Sequence, residues 1–494
     1  MKNKQLFTAT LLALAVSAPG SAWATNGMNL EGYGPIALGM GGASFGYDNG
    51  LAAVVNNPAT LGLAPEGDRF DIALGFLGPN VNASLSGQPW GSDGDAYYMP
   101  AFGWGRRDGD WAFGIASFAQ GGMGTDYSPA PGAAISANLM STNNTATGAG
   151  TPSASTIAAA AALPERSEVG VGRLILPLVY TPNDQWTVGG TLDYVWASMD
   201  LQMAMPGQQM FSMIGGGLIS GDMVAALQGA MGASNVNDIY YGYFDFTDDN
   251  DFSGRTRAWG YGANIGATFR PNDRLTVGAT YHSKTRLKDL HGGATVSMAV
   301  SADTGWLGGG ANSGTFTDAT FPLKGNITIQ DFEWPVIYGV GAAYRVNDRL
   351  MVAGDLKRIQ WADVMEAFKM SFKASNAPSN GAFAGLTLNA TMPQNWDNQT
   401  VVQIGLAYQA SDELTLRAGY NGSKNPIPDD TVLYIFPATV KNHYTAGAGY
   451  QIADDKAVNA ALSFAPEVTA TNSLSGIEIT HSQFSWQVMY SQNF

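Results

Sequence analysis

The sequence predicts an all-β fold, an antiparallel transmembrane β-barrel of about 14 strands with an N-terminal hatch plugging the lumen. Three observations predict it. Segments that alternate apolar and polar residues recur along most of the chain, with aromatics gathered on one face. The connections between them alternate strictly between short and long. The last stretch, His481 to Phe494, still alternates: Phe484, Trp486, Val488 and Tyr490 on one face, Ser485, Gln487, Met489 and Ser491 on the other. A strand in last place must pair or leave an open edge, and pairing with the first strand closes a barrel.

Composition agrees. Charged residues are 13% of the 494 and aromatics 11%, with 62 glycines; a soluble globular chain carries about 25% charged residues. Mean hydropathy is only −0.05, and no internal stretch is long and apolar enough for a membrane helix. With no cysteine, stability must come from a large core or a closed sheet. Removing Lys2 and Lys4 takes the formal charge from −15 to −17, which argues against nucleic acid as a partner.

In chain order, residues 1–24 read as a signal peptide: Lys2 and Lys4, the apolar run Leu6–Val16, then Ala22-Trp23-Ala24 with cleavage after Ala24. Residues 25–67 do not alternate. They are rich in Gly, Ala and Asn, too short to fold alone, and expected inside the barrel. Residues 68–494 carry the strands. Phe70, Ile72, Leu74 and Phe76 begin the series; Tyr98, Phe102 and Trp104 follow, then Trp111, Phe113 and Ile115. Leu174–Tyr180, Val188–Trp196, Trp259–Phe269, Leu275–Tyr281, Trp334–Tyr344 and Leu350–Leu356 continue it. Val402–Tyr408, Leu414–Tyr420, Tyr444–Tyr450, Val458–Phe464 and the last strand complete it. Short turns such as Pro182-Asn-Asp-Gln185, Pro271-Asn-Asp-Arg274 and Val346-Asn-Asp-Arg349 have hairpin chemistry. The connections at about 78–95, 120–166, 203–254, 291–330, 363–397, 425–438 and 467–479 are long and expected outside. One-sided loop length separates this pattern from a soluble sandwich or propeller.

With aromatics facing lipid, their neighbours face the lumen. That phase turns Arg173, Asp193, Asn264, Thr280, His282, Lys284, Arg286, Asp355, Lys357, Gln403 and Arg417 inward. Arg173, Lys357 and Arg417 are either paired lumen charges or receivers of a ligand carboxylate. Met210, Phe211, Met213, Met223 and Leu227 crowd one external loop, with a helix expected within Gly215–Met231. The cluster packs the loops together or captures apolar ligands from outside. Gly114, Gly121 and Gly122 are candidates for a local break in strand pairing.

Other matches carry less. Gly42-Ala-Ser-Phe-Gly46 has the spacing of a nucleophile elbow around Ser44, but no strand precedes it. Asp248-Asp249-Asn250-Asp251 offers oxygen ligands for calcium but reads better as a solvated loop. The four histidines lack metal-ligand spacing. No metal, cofactor or enzymatic activity is expected.

The chain resembles the FadL/TodX family of outer-membrane transporters for hydrophobic compounds. Asn57-Pro58-Ala59 matches the motif of that family's hatch, supported by Gly39-Met-Gly41-Gly42-Ala43, Tyr344-Arg-Val-Asn-Asp-Arg349, and Leu416-Arg-Ala-Gly-Tyr420 followed by Pro426-Ile-Pro428-Asp429. Phe494 matches the outer-membrane assembly signal, which implies the barrel-assembly machinery as a partner. The resemblance implies a monomer in the bacterial outer membrane, among outer-membrane lipid and lipopolysaccharide. It implies passive uptake: capture by external loops, a lumen pocket, a hatch that gates, and sideways exit through a wall gap near a kinked strand. Long-chain fatty acids are the expected substrate, with aromatic or alkane hydrocarbons as the alternative. A general porin or a barrel enzyme are the remaining rivals.

Overall fold

The alternating segments form strands that leave few backbone groups unpaired, as a membrane requires. The computed structural model describes residues 26–127, 153–248, 250 and 253–494. The expected signal peptide, the middle of the 120–166 connection, Asp249 and Asp251 lie outside them. In chain order the strands are β1 (Gly67–Leu85), β2 (Gln88–Gly91), β3 (Tyr97–Asp108), β4 (Trp111–Tyr127), β5 (Glu165–Tyr180), β6 (Trp186–Pro206), β7 (Ile219–Ser220), β8 (Val236–Phe246), β9 (Thr256–Asn272), β10 (Leu275–His282) and β11 (Arg286–Leu287). They continue with β12 (Leu290–Asp303), β13 (Phe316–Gln330), β14 (Ile337–Asn347), β15 (Leu350–Ile359), β16 (Ala367–Ala374), β17 (Thr387–Pro393), β18 (Gln399–Gln409), β19 (Leu414–Ser423), β20 (Asn442–Ala453), β21 (Lys456–Thr471) and β22 (Glu478–Asn493).

Fourteen of these close a ring of antiparallel neighbours: β1, β3, β4, β5, β6, β9, β10, β14, β15, β18, β19, β20, β21 and β22, returning to β1. These are the segments read from the sequence. The closing pair runs from Arg69↔Asn493 to Ser84↔Glu478, beyond the Phe76 level where the aromatic alternation stops. The short turns sit at one end, and their asparagines explain the repeated Asn-Asp. Asn272 Oδ1 accepts from the Arg274 and Leu275 N–H groups at 3.0 and 3.1 Å, and Asn183 does the same for Gln185 and Trp186. Outward side chains are bare: Leu192 is 71% exposed, Ile265 64% and Tyr261 60%. Only lipid makes such a surface stable.

At the other end a second sheet rises from the ring. The end of β6 pairs with β8, and β8, β12, β13, β16, β17 and β7 follow in order. Its inner face carries Phe244, Val296, Met298, Leu323, Phe372 and Ala390, all buried. Helices Gly207–Gly215 and Asp222–Gly232 pack beneath it. The 291–330 connection is therefore a β-hairpin. Its Thr295-Val296-Ser297-Met298 alternation lacks aromatics, because its outer side meets water and headgroups rather than hydrocarbon. The connections at 78–95 and 467–479 likewise contain extended strand: β1 and β21 run on past the lipid-facing belt, with Asn80 and Asn82 where aromatics would otherwise stand.

Two expectations of phase need correction. β10 stops at His282, Thr285 bridges to Trp334, and the chain resumes as β11 shifted by one residue. Arg286 then lies opposite lipid-facing Tyr261 and points out, not into the lumen. Trp334, expected on the lipid face, is fully buried, because Pro335 and this bridge break the alternation before β14 begins at Ile337.

Candidate functional site

Residues 26–66 occupy the lumen and are almost wholly buried. Their tight turns leave many backbone groups to satisfy, and both asparagines within the segment and polar side chains of the wall satisfy them. Asn57 donates to the Phe45 carbonyl at 2.9 Å and to Ala267 O of β9 at 3.4 Å, while its Oδ1 accepts from Ala59 N at 3.2 Å. Pro58 takes the first position of the turn Pro58–Leu63, where its missing N–H costs nothing. Ala59 lies against Gly189 of β6. The motif is therefore a cap, a preset φ and a small contact in sequence.

The wall grips this segment from many sides. Asp355 of β15 accepts from Ser44 N at 2.6 Å and Phe45 N at 3.1 Å. Asp71 of β1 accepts from Leu51 N at 2.8 Å, and Arg69 reaches Asp48 at 3.3 Å. Gln403 of β18 and Asn421 of β19 both donate to Glu31 O, Gln487 of β22 donates to Gly32 O, and His282 of β10 lies 3.1 Å from Asn56 O. Backbone meets backbone where the wall has glycine: a methyl group on Gly278 would strike Phe45 O, and one on Gly419 would strike Gly41, itself at φ +69°. Ser44, buried here, donates its hydroxyl to Gly42 O at 3.0 Å. Replacing Asn57 with Ala removes the cap and leaves Phe45 O short of a donor, a cost of about 1–3 kcal/mol. Faster hydrogen exchange over Phe45–Leu61, with wall strands unchanged, is the expected result.

The three candidate cations differ. Arg173, 3% exposed, donates to Asp193 at 2.6 Å and also bonds Gln120 and Thr285. Thr191 completes Asp193 at 2.6 Å. Each of the three guanidinium nitrogens thus donates to the wall. Arg417 donates to Asn459 at 3.0 Å and lies against Gly39, low in the barrel. Lys357 is half-buried at mid-height and makes no ion pair or side-chain hydrogen bond among the described residues.

The wall is incomplete at one place. β3 pairs with β1 as far as Tyr97, but with β4 only from Asp108↔Trp111 to Phe102↔Ser117. Beyond Ser117, β4 is paired to β5, with a bulge between Ala119 and Gly121. Its free edge is met from inside: Asn29 bridges Gly121, and Gly122 N donates to Met28 O at 3.1 Å. The bulged Gln120 is held by Arg173 through its side chain and by Tyr33 Oη, at 2.6 Å, through its carbonyl. A cavity of about 530 Å³ opens at this gap, lined by Tyr97, Met99, Phe102, Gly122, Gly170 and Trp259. A smaller void beside it is lined by Leu30 and Tyr33 from the lumen and by lipid-facing Leu74. Gly121 and Gly122 stand at the break; Gly114 lies in the paired region opposite Gly105, where a side chain would strike Trp104 O.

Above the segment, Trp334, Trp361 and Trp396 pack edge to face, with centroids 5.6 and 5.3 Å apart. Trp334 Nε1 donates to Asn29 Oδ1 at 2.6 Å, and Gly27 is seated against the Trp361 ring. The same apolar cluster takes in Met210, Met213, Met223 and Leu227, with Phe211 at its margin. The methionines thus face inward, continuous with the tryptophans, instead of forming an exposed patch. Asp248 is paired with Arg257 at 2.9 Å.

The sequence reading missed this tryptophan trio. A signal was present in Trp361 and Trp396, which fall outside the alternating segments among polar residues.

A family model described as outer membrane protein transport protein (OMPP1/FadL/TodX) matches residues 11–487. The structure is similar to the toluene transporter TodX of P. putida, with TM-score 0.74 and 29% identity over 94% of this chain and 99% of that one. It is similar to the toluene transporter TbuX of Ralstonia pickettii, with TM-score 0.71 and 29% identity over 94% and 99%. Among curated relatives, a 47 kDa outer membrane protein of Pasteurella multocida is 23% identical over 206 residues, 41% of this chain and 42% of its own. The chain spans less than half the length of the curated relatives it matches. Barrel, filled lumen and family match together place the chain in the outer membrane protein transport protein family (OMPP1/FadL/TodX), whose members are outer-membrane channels for hydrophobic compounds.

Proposed function

We propose that the protein passively takes up small hydrophobic compounds and releases them sideways through the gap between β3 and β4. The observation that carries this reading is the gap itself: an unpaired wall edge, an apolar cavity beside it, and the N-terminal segment bridged to its rim. An apolar molecule gains about 25 cal/mol for each Å² it moves out of water, so a route lined by apolar side chains needs no energy source. External molecules enter among the methionines and the tryptophan trio, pass residues 26–66 acting as the hatch, and leave into lipid. Motion of the contacts from Asn29 to Gly121 and from Met28 to Gly122 gates the last step.

Monoaromatic hydrocarbons are the favoured substrates. Two solved structures at 29% identity are toluene transporters, and the cavity at the gap is lined by the rings of Tyr97, Phe102 and Trp259, which suit an aromatic guest. Long-chain fatty acids are the second reading, favoured by Lys357, a mid-lumen ammonium without an ion pair among the described residues.

Uptake rates for a panel of toluene, an alkane and a long-chain fatty acid, with and without the protein, test the assignment. Toluene uptake independent of the protein rejects the first reading, and fatty-acid uptake independent of it rejects the second. Replacing Met213, Met223 and Leu227 together by Gln is expected to slow uptake of the accepted substrate by about tenfold, a barrier change near 1.4 kcal/mol. Unchanged initial rates reject the capture role of these residues.

A further inference from the structure

The aromatic girdle gives way to cations on one arc of the ring. At the outer end of β9 and on β11, Trp259 and Tyr261 share their outward face with Arg257, Arg286 and Lys288. Higher, on the second sheet, Lys324 of β13 and Lys373 of β16 are exposed on the outward side. Lys373 is opposite Asn326, so the two lysines are diagonal neighbours, about 7 Å apart. Among the described residues, Arg286, Lys288, Lys324 and Lys373 have neither an ion pair nor a side-chain hydrogen bond. Unrelieved like charges on one face are destabilising.

The arc that holds the gap is different. On β1 and β22 the outward positions beyond the girdle are Asn80, Asn82, Ser482, Thr480 and Glu478, with no Lys or Arg. On β5, Arg166 is neutralised by Glu168 at 2.8 Å. The chain is strongly acidic, at −15, so free outward cations collected on one arc at headgroup height are a specific feature.

We propose that this arc, from β9 to β16, is a binding surface for a phosphorylated glycolipid of the outer leaflet, of the lipopolysaccharide class. The surface continues the lipid-facing wall, so its occupant stands in the membrane. Its charge is complementary to phosphate: Arg286 offers a planar fork, and the lysines offer point charges at two heights. A glycolipid carrying several phosphates spans those heights, which a single phosphate does not. Bound on Arg286, Lys288, Lys324 and Lys373, it stands beside Arg257 and Trp259 of β9, which line the cavity at the gap.

The test compares the full-length protein in lipid nanodiscs with R286Q/K288Q/K324Q/K373Q and with the control R106Q/R270Q/R345Q/R349Q at the short-turn end. Phosphorylated and dephosphorylated lipid A are titrated against each, and retained lipid is counted by native mass spectrometry. The wild type and the control are expected to bind phosphorylated lipid A alike, and the outer variant about tenfold or more weakly. Dephosphorylated lipid A is expected to bind all three weakly. Equal binding by the outer variant, equal loss in both variants, or wild-type binding that ignores the phosphates would each overturn the proposal. The four residues are exposed and unpaired, so correct folding, checked by heat-modifiable migration, is expected throughout.

Discussion

Gly170→Phe is expected to cut uptake by at least about tenfold, equivalent to about 1.4 kcal/mol on the barrier, while the barrel assembles normally. Gly170 lies on β5 between Gly122 and Ser198 in register, and lines the cavity at the gap. A Cβ placed there meets nothing within 4 Å, so the ring projects into open space instead of into the wall. Aromatic residues favour strands, so the substitution costs little in folding. The neighbouring Gly122 offers no such test, since a side chain there would strike Val169 O. Initial uptake rates of toluene and of a fatty acid, measured in cells with equal amounts of heat-modifiable protein, decide the matter. Rates equal to wild type would place the exit elsewhere.

Arg173→Met is expected to destabilise the protein by about 3–5 kcal/mol, because it leaves a buried carboxylate without its cation. Asp193 is fully buried and, among the described residues, keeps only Thr191. Gln120 and Thr285 lose a donor as well, so the bulge beside the gap loosens in the same step. The double variant Arg173→Met/Asp193→Leu should recover most of the loss, because it removes both charges together. Denaturant unfolding in lipid vesicles measures both. A single variant within about 1 kcal/mol of wild type would show that the pair is dispensable.

The membrane-crossing part of the fold was legible because lipid imposes a strict pattern. Each of the fourteen ring strands carries outward aromatics or aliphatics at a period of two, and each short turn carries its own turn chemistry. Beyond the lipid that constraint lapses. β12 alternates Val296, Met298 and Val300 with Ser297, Ala299 and Ser301, which is strand-like but without the aromatic mark, so the sequence places it in a long connection. Arg286 and Trp334 were misplaced for a related reason. A one-residue shift at Thr285 reverses the faces of the β11 residues that follow it, and period alone does not reveal the shift. For the site, the Asn57-Pro58-Ala59 turn was visible as a motif, and Gly121 and Gly122 as a weak point. That Arg173 is spent on Asp193, and that Trp334, Trp361 and Trp396 meet, depends on strands far apart in sequence.

The lumen segment is tied to the wall on many sides. Its backbone is hydrogen-bonded to β1, β4, β9, β10, β15, β18, β19 and β22 at once. Those anchors lie on opposing walls, so their separation is fixed by the segment's own width. Its girth therefore matches that of the ring. A barrel one hairpin larger or smaller would draw Asp355 away from Ser44, or crush Gly278 against Phe45. The number of strands is recorded twice in this chain, once in the count of alternating segments and once in the girth of the piece they enclose.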